Sequence, residues 1–120
     1  TVIFPEKWIL RILQETEDAK FKPCHGGIFE NNLIIYDSQV DVFVNVGPRT
    51  APETFKFRNN AWHRAGGSGK KPVLPTPEEN SIYNVKVSMD AQFMEQGLVQ
   101  VDDPKLLDYV GAQSYKPIGQ

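Results

Sequence analysis

A short motif in this chain returns after 28 residues. It reads Phe-x-Asn-Asn followed by two apolar residues, and it occupies residues 29–34 and again residues 57–62. Strands of three to five residues between sharp bends at such a period are typical of a parallel β-solenoid. In that architecture each coil buries its inward face only against its neighbours. The repeat therefore predicts an all-β fold, a short parallel β-solenoid of two to three coils with a C-terminal capping tail.

The second asparagine of each motif is predicted to form a structural ladder. Asparagine tolerates the left-handed backbone conformation that a sharp corner needs, and stacked asparagine side chains hydrogen-bond along a stack of strands. We therefore expect Asn32 and Asn60 to turn the corner, point inward and bond to each other, while Asn31 and Asn59 point outward or cap the turn. The alternative is two Asn-Asn hairpin turns in an antiparallel sandwich.

The remaining β-prone segments give the other predicted strands. Strands are expected at residues 1–4, 28–31, 33–36, 40–46, 53–58, 61–63, 82–87 and 98–101. In the longest of these, alternation places Val40, Val42, Val44 and Val46 on one face. Residues 7–15 fit either a helix or a buried strand, because a short apolar run does not distinguish the two; the β-rich sequence that follows favours a strand.

The end of the chain is predicted to close the coils. A turn or short helical bend is expected at residues 89–93, and a helix is expected to start with Asp103 as its N-cap and Pro104 in its first position. An open solenoid end exposes strand edges and apolar core, so it requires a cap. The predicted organisation is a single domain: an N-terminal strand or partial coil at 1–24, coils at 25–66, and a loop and C-terminal cap packed on the coils at 67–120.

Several motifs along the chain resemble coils of right-handed parallel β-helix proteins of the pectate-lyase-like group. They lie at residues 27–34, 44–47, 50–55 and 57–62, and in the tail at 72–77, 90–93 and 110–115. The resemblance covers roughly residues 25 to 117, and members of that bacterial group are typically much longer. It implies a C-terminal piece or a minimal version of a β-helix protein, with a secreted or periplasmic location.

Charge and cysteine content exclude several classes of function. Thirteen basic and fifteen acidic residues give a net charge of −2, so no overall attraction to nucleic acid or membrane is expected. No apolar run approaches the roughly 18 residues of a membrane span. The single cysteine, Cys24, excludes an internal disulfide and a cysteine-based zinc cage. The chain starts with Thr1 rather than Met, and we expect it to be processed, trimmed or a piece of a longer protein.

A basic and aromatic stretch supplies the candidate functional residues. No acidic residue occurs between Glu53 and Glu78. Arginine forks bind carboxylates, and a lyase acting on uronates needs a cation and a base. The candidate catalytic residues are Lys56, Arg58, His63 and Arg64; the candidate glycan-binding residues are Arg58, Trp62, His63 and Arg64. The alternative is a solvated basic face with Trp62 in the core.

Other reactive residue types in the sequence give no convincing site. Cys24 and His25 are adjacent, and adjacent side chains on an extended chain point in opposite directions. The glycine-rich residues 65–71 do not form a phosphate loop, because Gly69-Lys70 is not followed by Ser or Thr. The candidate calcium ligands, Glu30, Asp37 and Asp41, are spaced like turn and surface residues, so no metal and no other cofactor is expected.

These observations leave three hypotheses for function. The first is a non-catalytic scaffold that forms a homo-oligomer through an exposed coil end at residues 1–13. The second is a polysaccharide lyase-like or acidic-glycan-binding protein that uses the basic row. The third is a jelly-roll carbohydrate-binding module, which differs from the other two because its sheets are antiparallel.

Overall fold

The computed structural model describes residues 1–83, 85, 87–88 and 100–101, and these form an all-β structure of short strands. Two single-turn 3₁₀ helices, Pro52–Thr54 and Ala65–Gly67, connect strands. The strands are β1 (Val2–Ile3), β2 (Leu10–Ile12), β3 (Ile28–Glu30), β4 (Leu33–Tyr36), β5 (Val44–Val46), β6 (Lys56–Arg58), β7 (Ala61–Arg64), β8 (Glu78–Glu79), β9 (Ile82–Tyr83), β10 (Val87–Ser88) and β11 (Gln100–Val101).

Strands that follow one another in the chain lie in different sheets. Strands β1 to β9 form three parallel sheets, in the orders β1-β4-β7-β9, β2-β5 and β3-β6-β8. Strands β10 and β11 form a separate antiparallel pair. Each strand of a parallel sheet therefore pairs with a strand from the next pass of the chain. This pairing rules out the antiparallel sandwich and the jelly-roll module.

The strand register follows the 28-residue sequence repeat for one pass, and the spacing to the following pass is shorter. Phe29 pairs with Phe57 and Ile34 pairs with Trp62, both in parallel register. The next pass comes 21 residues later, as the hydrogen bond between Asn80 and Asn59 shows. The tripeptide 79–81, Glu-Asn-Ser, thus occupies the place of Glu30-Asn31-Asn32, a third copy that a fixed period of 28 does not reveal.

The main core lies between the parallel sheets and is rich in aromatic residues. The rings of Tyr36, Phe43 and Trp62 meet edge to face, with centroids 5.3 to 6.1 Å apart. Ile34 and Phe57 are buried in the same cluster. Burial of side chains of this size contributes roughly 1.5–3 kcal/mol each, so this cluster is the chief reason that three sheets of two to four strands hold together.

The central strand β4 is buried on both of its faces. Ile34 and Tyr36 point into the aromatic core, whereas Leu33 and Ile35 belong to a second cluster with Ala61. Val85, only 4% exposed, completes that second cluster. Val85 and Val87, which follow β9, therefore pack against the outer face of this sheet. The predicted turn at 89–93 and the predicted helix from Asp103 lie outside the described residues.

Two predictions about local structure need correction. Residues 40–46 are not one strand, because a turn in which Val40 N–H bonds to Asp37 O (3.3 Å) delays the strand until Val44. As a result Val40 is 1% exposed whereas Val42 is 48% exposed, so the valines do not share a face. Residues 7–15 contain strand β2 and no helix, in agreement with the favoured reading.

The corner of each pass of the chain is made by the first asparagine, not by the second as predicted. Asn31, Asn59 and Asn80 have φ angles of 59°, 53° and 53°. The left-handed conformation at this position leaves the following residue free to direct its side chain inward.

No helix in the described part of the chain is long and apolar enough to cross a membrane.

Candidate functional site

Arg58, the centre of the predicted basic row, lies between two acidic residues on the outer face of its sheet. The strand register places Glu30 on one side of it and Glu79 on the other. Arg58 Nε donates a 2.5 Å hydrogen bond to Glu30 Oε2. This hydrogen bond and the charge of Glu30 raise the pKa of Arg58, with Glu79 adding a smaller effect. The row is therefore acidic-basic-acidic rather than basic.

Trp62 is not available as a glycan platform. Its side chain is 1% exposed and belongs to the aromatic core, and its indole Nε1 donates a 3.1 Å hydrogen bond to Glu78 Oε2. A sugar from solvent cannot stack on a ring that the sheets enclose. Trp62 therefore lies in the core, the position that the alternative gave it.

The other predicted site residues lie in three separate places. Lys56 is exposed on the outer face of β6. His63 is half-buried on the face of β7 opposite Trp62, and its Nδ1 lies 2.6 Å from the carbonyl oxygen of Val85. A carbonyl only accepts, so Nδ1 carries the proton in this bond. Arg64 Nη1 donates to Gly69 O at 3.4 Å. These side chains do not converge on one site.

Asn32 and Asn60, the predicted ladder residues, are hydrogen-bonded to each other. Asn32 Nδ2 donates to Asn60 Oδ1 at 3.1 Å and to Glu30 O at 2.9 Å. Asn60 is fully buried, and its Nδ2 donates to Phe29 O at 3.1 Å. The next rung is a serine, since Asn60 N–H donates to Ser81 Oγ at 3.1 Å. The column therefore changes from asparagine to serine at the third pass of the chain.

A polar centre that sequence reasoning missed is the carboxylate of Glu78. In the register it occupies the place of Phe29 and Phe57. Its Oε2 accepts hydrogen bonds from Trp62 Nε1, Ser81 Oγ and, at 3.3 Å, Asn60 Nδ2. The sequence reveals that Glu78 is equivalent to the two phenylalanines only once the 21-residue spacing of the third pass is known.

Tyr83 completes the hydrogen bonding of this carboxylate. Its hydroxyl donates to Glu78 Oε1 at 2.9 Å. Burial, followed by the hydrogen bond to Glu78 and its charge, raises the pKa of Tyr83 to about 12. A tyrosine in this state remains protonated at neutral pH, so it donates a hydrogen bond and does not act as a base.

The candidate calcium ligands have other partners. Glu30 is paired with Arg58, Asp41 accepts from Lys70 Nζ, and Asp37 Oδ1 accepts from Gln39 N–H at 2.9 Å. Among the described residues no three His, Cys, Asp or Glu side chains are grouped as metal ligands. Near Cys24, His25 Nδ1 lies 2.6 Å from the carbonyl oxygen of Pro23.

Comparisons with protein-family models, with curated proteins and with solved structures find no match for this chain.

Proposed function

We propose that the chain is a non-catalytic scaffold, a short right-handed parallel β-helix that self-associates through an open coil edge. Three parallel sheets built from successive passes of the chain support the β-helix. The right hand is the usual one for connections between parallel strands of one sheet. Kinship with the pectate-lyase-like group, and the secreted or periplasmic location that it implies, belong to the same proposal.

The fate of the basic residues favours a scaffold over a lyase or an acidic-glycan binder. A lyase needs a free cation near the substrate carboxylate and a free base beside it. Arg58 is already paired with Glu30, and His63 is bonded to the carbonyl oxygen of Val85. Trp62 is buried. Arg58, Trp62 and His63 are thus engaged in contacts between different passes of the chain.

The observation that carries self-association is the open edge at strands β1 and β2. In the described part of the chain each has a parallel partner on one side only, β4 and β5 respectively. Unpaired strand edges offer backbone donors and acceptors to another strand. Such an edge pairs with a second copy by the same hydrogen bonds that join the coils within one copy.

Backbone alternation identifies Arg11 as the donor on this edge. Leu10 N–H bonds to Phe43 O at 3.2 Å, towards β5. Ile12 O accepts from Gly47 N–H at 2.8 Å, on the same side. Successive residues of a strand direct their backbone groups to opposite sides, so the N–H of Arg11 points away from β5.

The ladder also has an open rung at this end. In both of the described hydrogen bonds of its side chain, Asn32 is the donor. Its Oδ1 accepts from no described residue, and no buried side-chain polar atom among the described residues lacks a partner. The oxygen of Asn32 is therefore accessible. It presents to an incoming strand the acceptor that Asn60 presents to Asn32.

Two substitutions at one position test the proposal. Arg11→Pro removes the outward N–H without removing a described hydrogen bond of β2, whereas Arg11→Ala removes the side chain and keeps the N–H. Multi-angle light scattering over a range of concentrations should give a dimer or larger species for the original chain and for Arg11→Ala. Arg11→Pro should be monomeric. A monomer for the original chain at millimolar concentration would refute self-association.

A further inference from the structure

A cleft that the predicted sites do not use opens between the proline-rich residues 72–77 and Tyr83. Its volume is about 360 Å³, and Glu78 contributes to its lining. The loop is fixed on both sides: Tyr36 Oη donates to Lys70 O at 2.6 Å, and Thr76 Oγ1 donates to Phe55 O at 2.7 Å. The cleft is therefore preformed, and its size lies in the range of small-molecule sites.

The carboxylate of Glu78, a residue that lines the cleft, has no cationic partner within the described structure. The ion pairs there join Lys20 to Asp18, Arg58 to Glu30 and Lys70 to Asp41. Among the described residues, Glu78 is instead held by neutral donors, three on Oε2 and only Tyr83 on Oε1. A half-buried carboxylate of this kind gains most from a positive charge, because charge-assisted hydrogen bonds are roughly twice as strong as neutral ones.

The walls of the cleft favour the same type of ligand. The ring of Tyr83 is 48% exposed, and the face of an aromatic ring attracts a cation. The prolines Pro72, Pro75 and Pro77 have no backbone N–H, so their peptide units offer carbonyl acceptors and apolar surface. Val73, 74% exposed, adds apolar surface at the rim.

We propose that this cleft binds a primary alkylammonium group, such as the side chain of a lysine in a peptide. The ammonium donates to Glu78 Oε1 and lies against the ring of Tyr83, while its methylene chain contacts the prolines. Arg64 and Lys71 line a much smaller space of about 30 Å³ next to Tyr83. Their charges repel any cationic group near Tyr83, so binding depends on the charge of Glu78, and a ligand with a single positive charge is repelled least.

The test is a titration with n-butylammonium, compared with n-butanol and butyrate, which keep the alkyl chain but not the charge. The indole N–H of Trp62 bonds to Glu78 and reports on the carboxylate by ¹H–¹⁵N NMR. The other tryptophan, Trp8, is an internal reference. We expect a saturable shift of the Trp62 indole, with a Kd on the order of 10 mM that is at least tenfold lower than for n-butanol. Butyrate should not bind.

Two variants complete the experiment. Glu78→Gln keeps acceptor capacity and removes the charge, and it should weaken butylammonium binding about tenfold. If Glu78→Gln does not fold, Tyr83→Leu decides, since it removes the ring and leaves three hydrogen bonds on Glu78. Equal affinity for n-butanol and n-butylammonium, tighter binding of butyrate, or full affinity in Tyr83→Leu would overturn the proposal.

Discussion

Asn32 Nδ2 donates a 3.1 Å hydrogen bond to Oδ1 of Asn60, 28 residues further along the chain. The bond joins equivalent corners of successive passes, so one sequence repeat accounts for both the turn and the contact between turns. Asn60 is fully buried and Asn32 is half-buried. The inner rung therefore stabilises the stack more than the rung at the edge.

Asn60→Ala is expected to destabilise the protein by about 2–3 kcal/mol, because it leaves half-buried partners such as Phe29 O and Asn32 N–H without their bonds. Urea unfolding followed by tryptophan fluorescence measures the loss. The matched control is Gln39→Ala, which shortens an exposed side chain and should change the free energy of unfolding by less than about 0.5 kcal/mol. Equal effects of the two substitutions would contradict an inner rung.

Asn31 allows the left-handed corner to be tested without disturbing a described side-chain bond. Its φ is 59°, a conformation that costs a residue with a Cβ roughly 1–2 kcal/mol. Asn31→Ala should therefore lower the free energy of unfolding by about 1 kcal/mol, whereas Asn31→Gly should be close to neutral. Chemical denaturation of both variants decides. A glycine variant less stable than the alanine variant would show that the corner is not left-handed.

Gly27 is expected to tolerate no side chain, because Phe55 occupies the space. A Cβ at Gly27 would lie 2.2 Å from Phe55 Cε1. Gly27→Ala should cost about 1–3 kcal/mol, the usual penalty for overpacking. In a Phe55→Leu background the same substitution should cost much less, so a double-mutant cycle isolates the contact. Additive effects would mean that the ring does not pack on Gly27.

The raised pKa of Tyr83 should make the folded protein less stable at alkaline pH. Its folded pKa of about 12 lies above the ordinary value of 10.0, so its contribution to stability is complete below pH 10 and is lost as the pH rises from 10 to 12. The free energy of unfolding should fall over this range more steeply in the original chain than in Tyr83→Phe. In a titration followed by tyrosinate absorbance, the original chain should show a transition near pH 12 that Tyr83→Phe lacks. Identical alkaline slopes would contradict the Glu78–Tyr83 hydrogen bond.

The sequence predicted the all-β class and several strands because those signals are local. The runs at Ile28–Glu30 and Leu33–Tyr36 are bounded by asparagine corners and appear where expected. Residues 40–46 were misjudged because alternation alone does not reveal the turn that buries Val40 and exposes Val42. Which asparagine adopts the left-handed conformation is decided by stacking, and composition carries no information about it.

The candidate site was less predictable because it depends on register. Arg58 looked like part of a basic row since the acidic residues near it in space, Glu30 and Glu79, lie on other strands. The repeat of 28 residues already contained the Glu30–Arg58 pairing, but the 21-residue third pass contained Glu79. The same change of spacing concealed Glu78, whose carboxylate takes the place of two phenylalanines.

Scalar couplings across hydrogen bonds, measured by long-range HNCO NMR, test most directly whether successive passes of the chain pair in parallel. The account predicts couplings from the N–H of Asn31 to the carbonyl carbon of Asn59, and from the N–H of Ala61 to that of Asn32. A coupling from the N–H of Asn59 to the carbonyl of Glu79 should mark the third pass. Couplings that instead join residues 28–30 to residues 33–36, as in an antiparallel hairpin, would contradict the parallel stack.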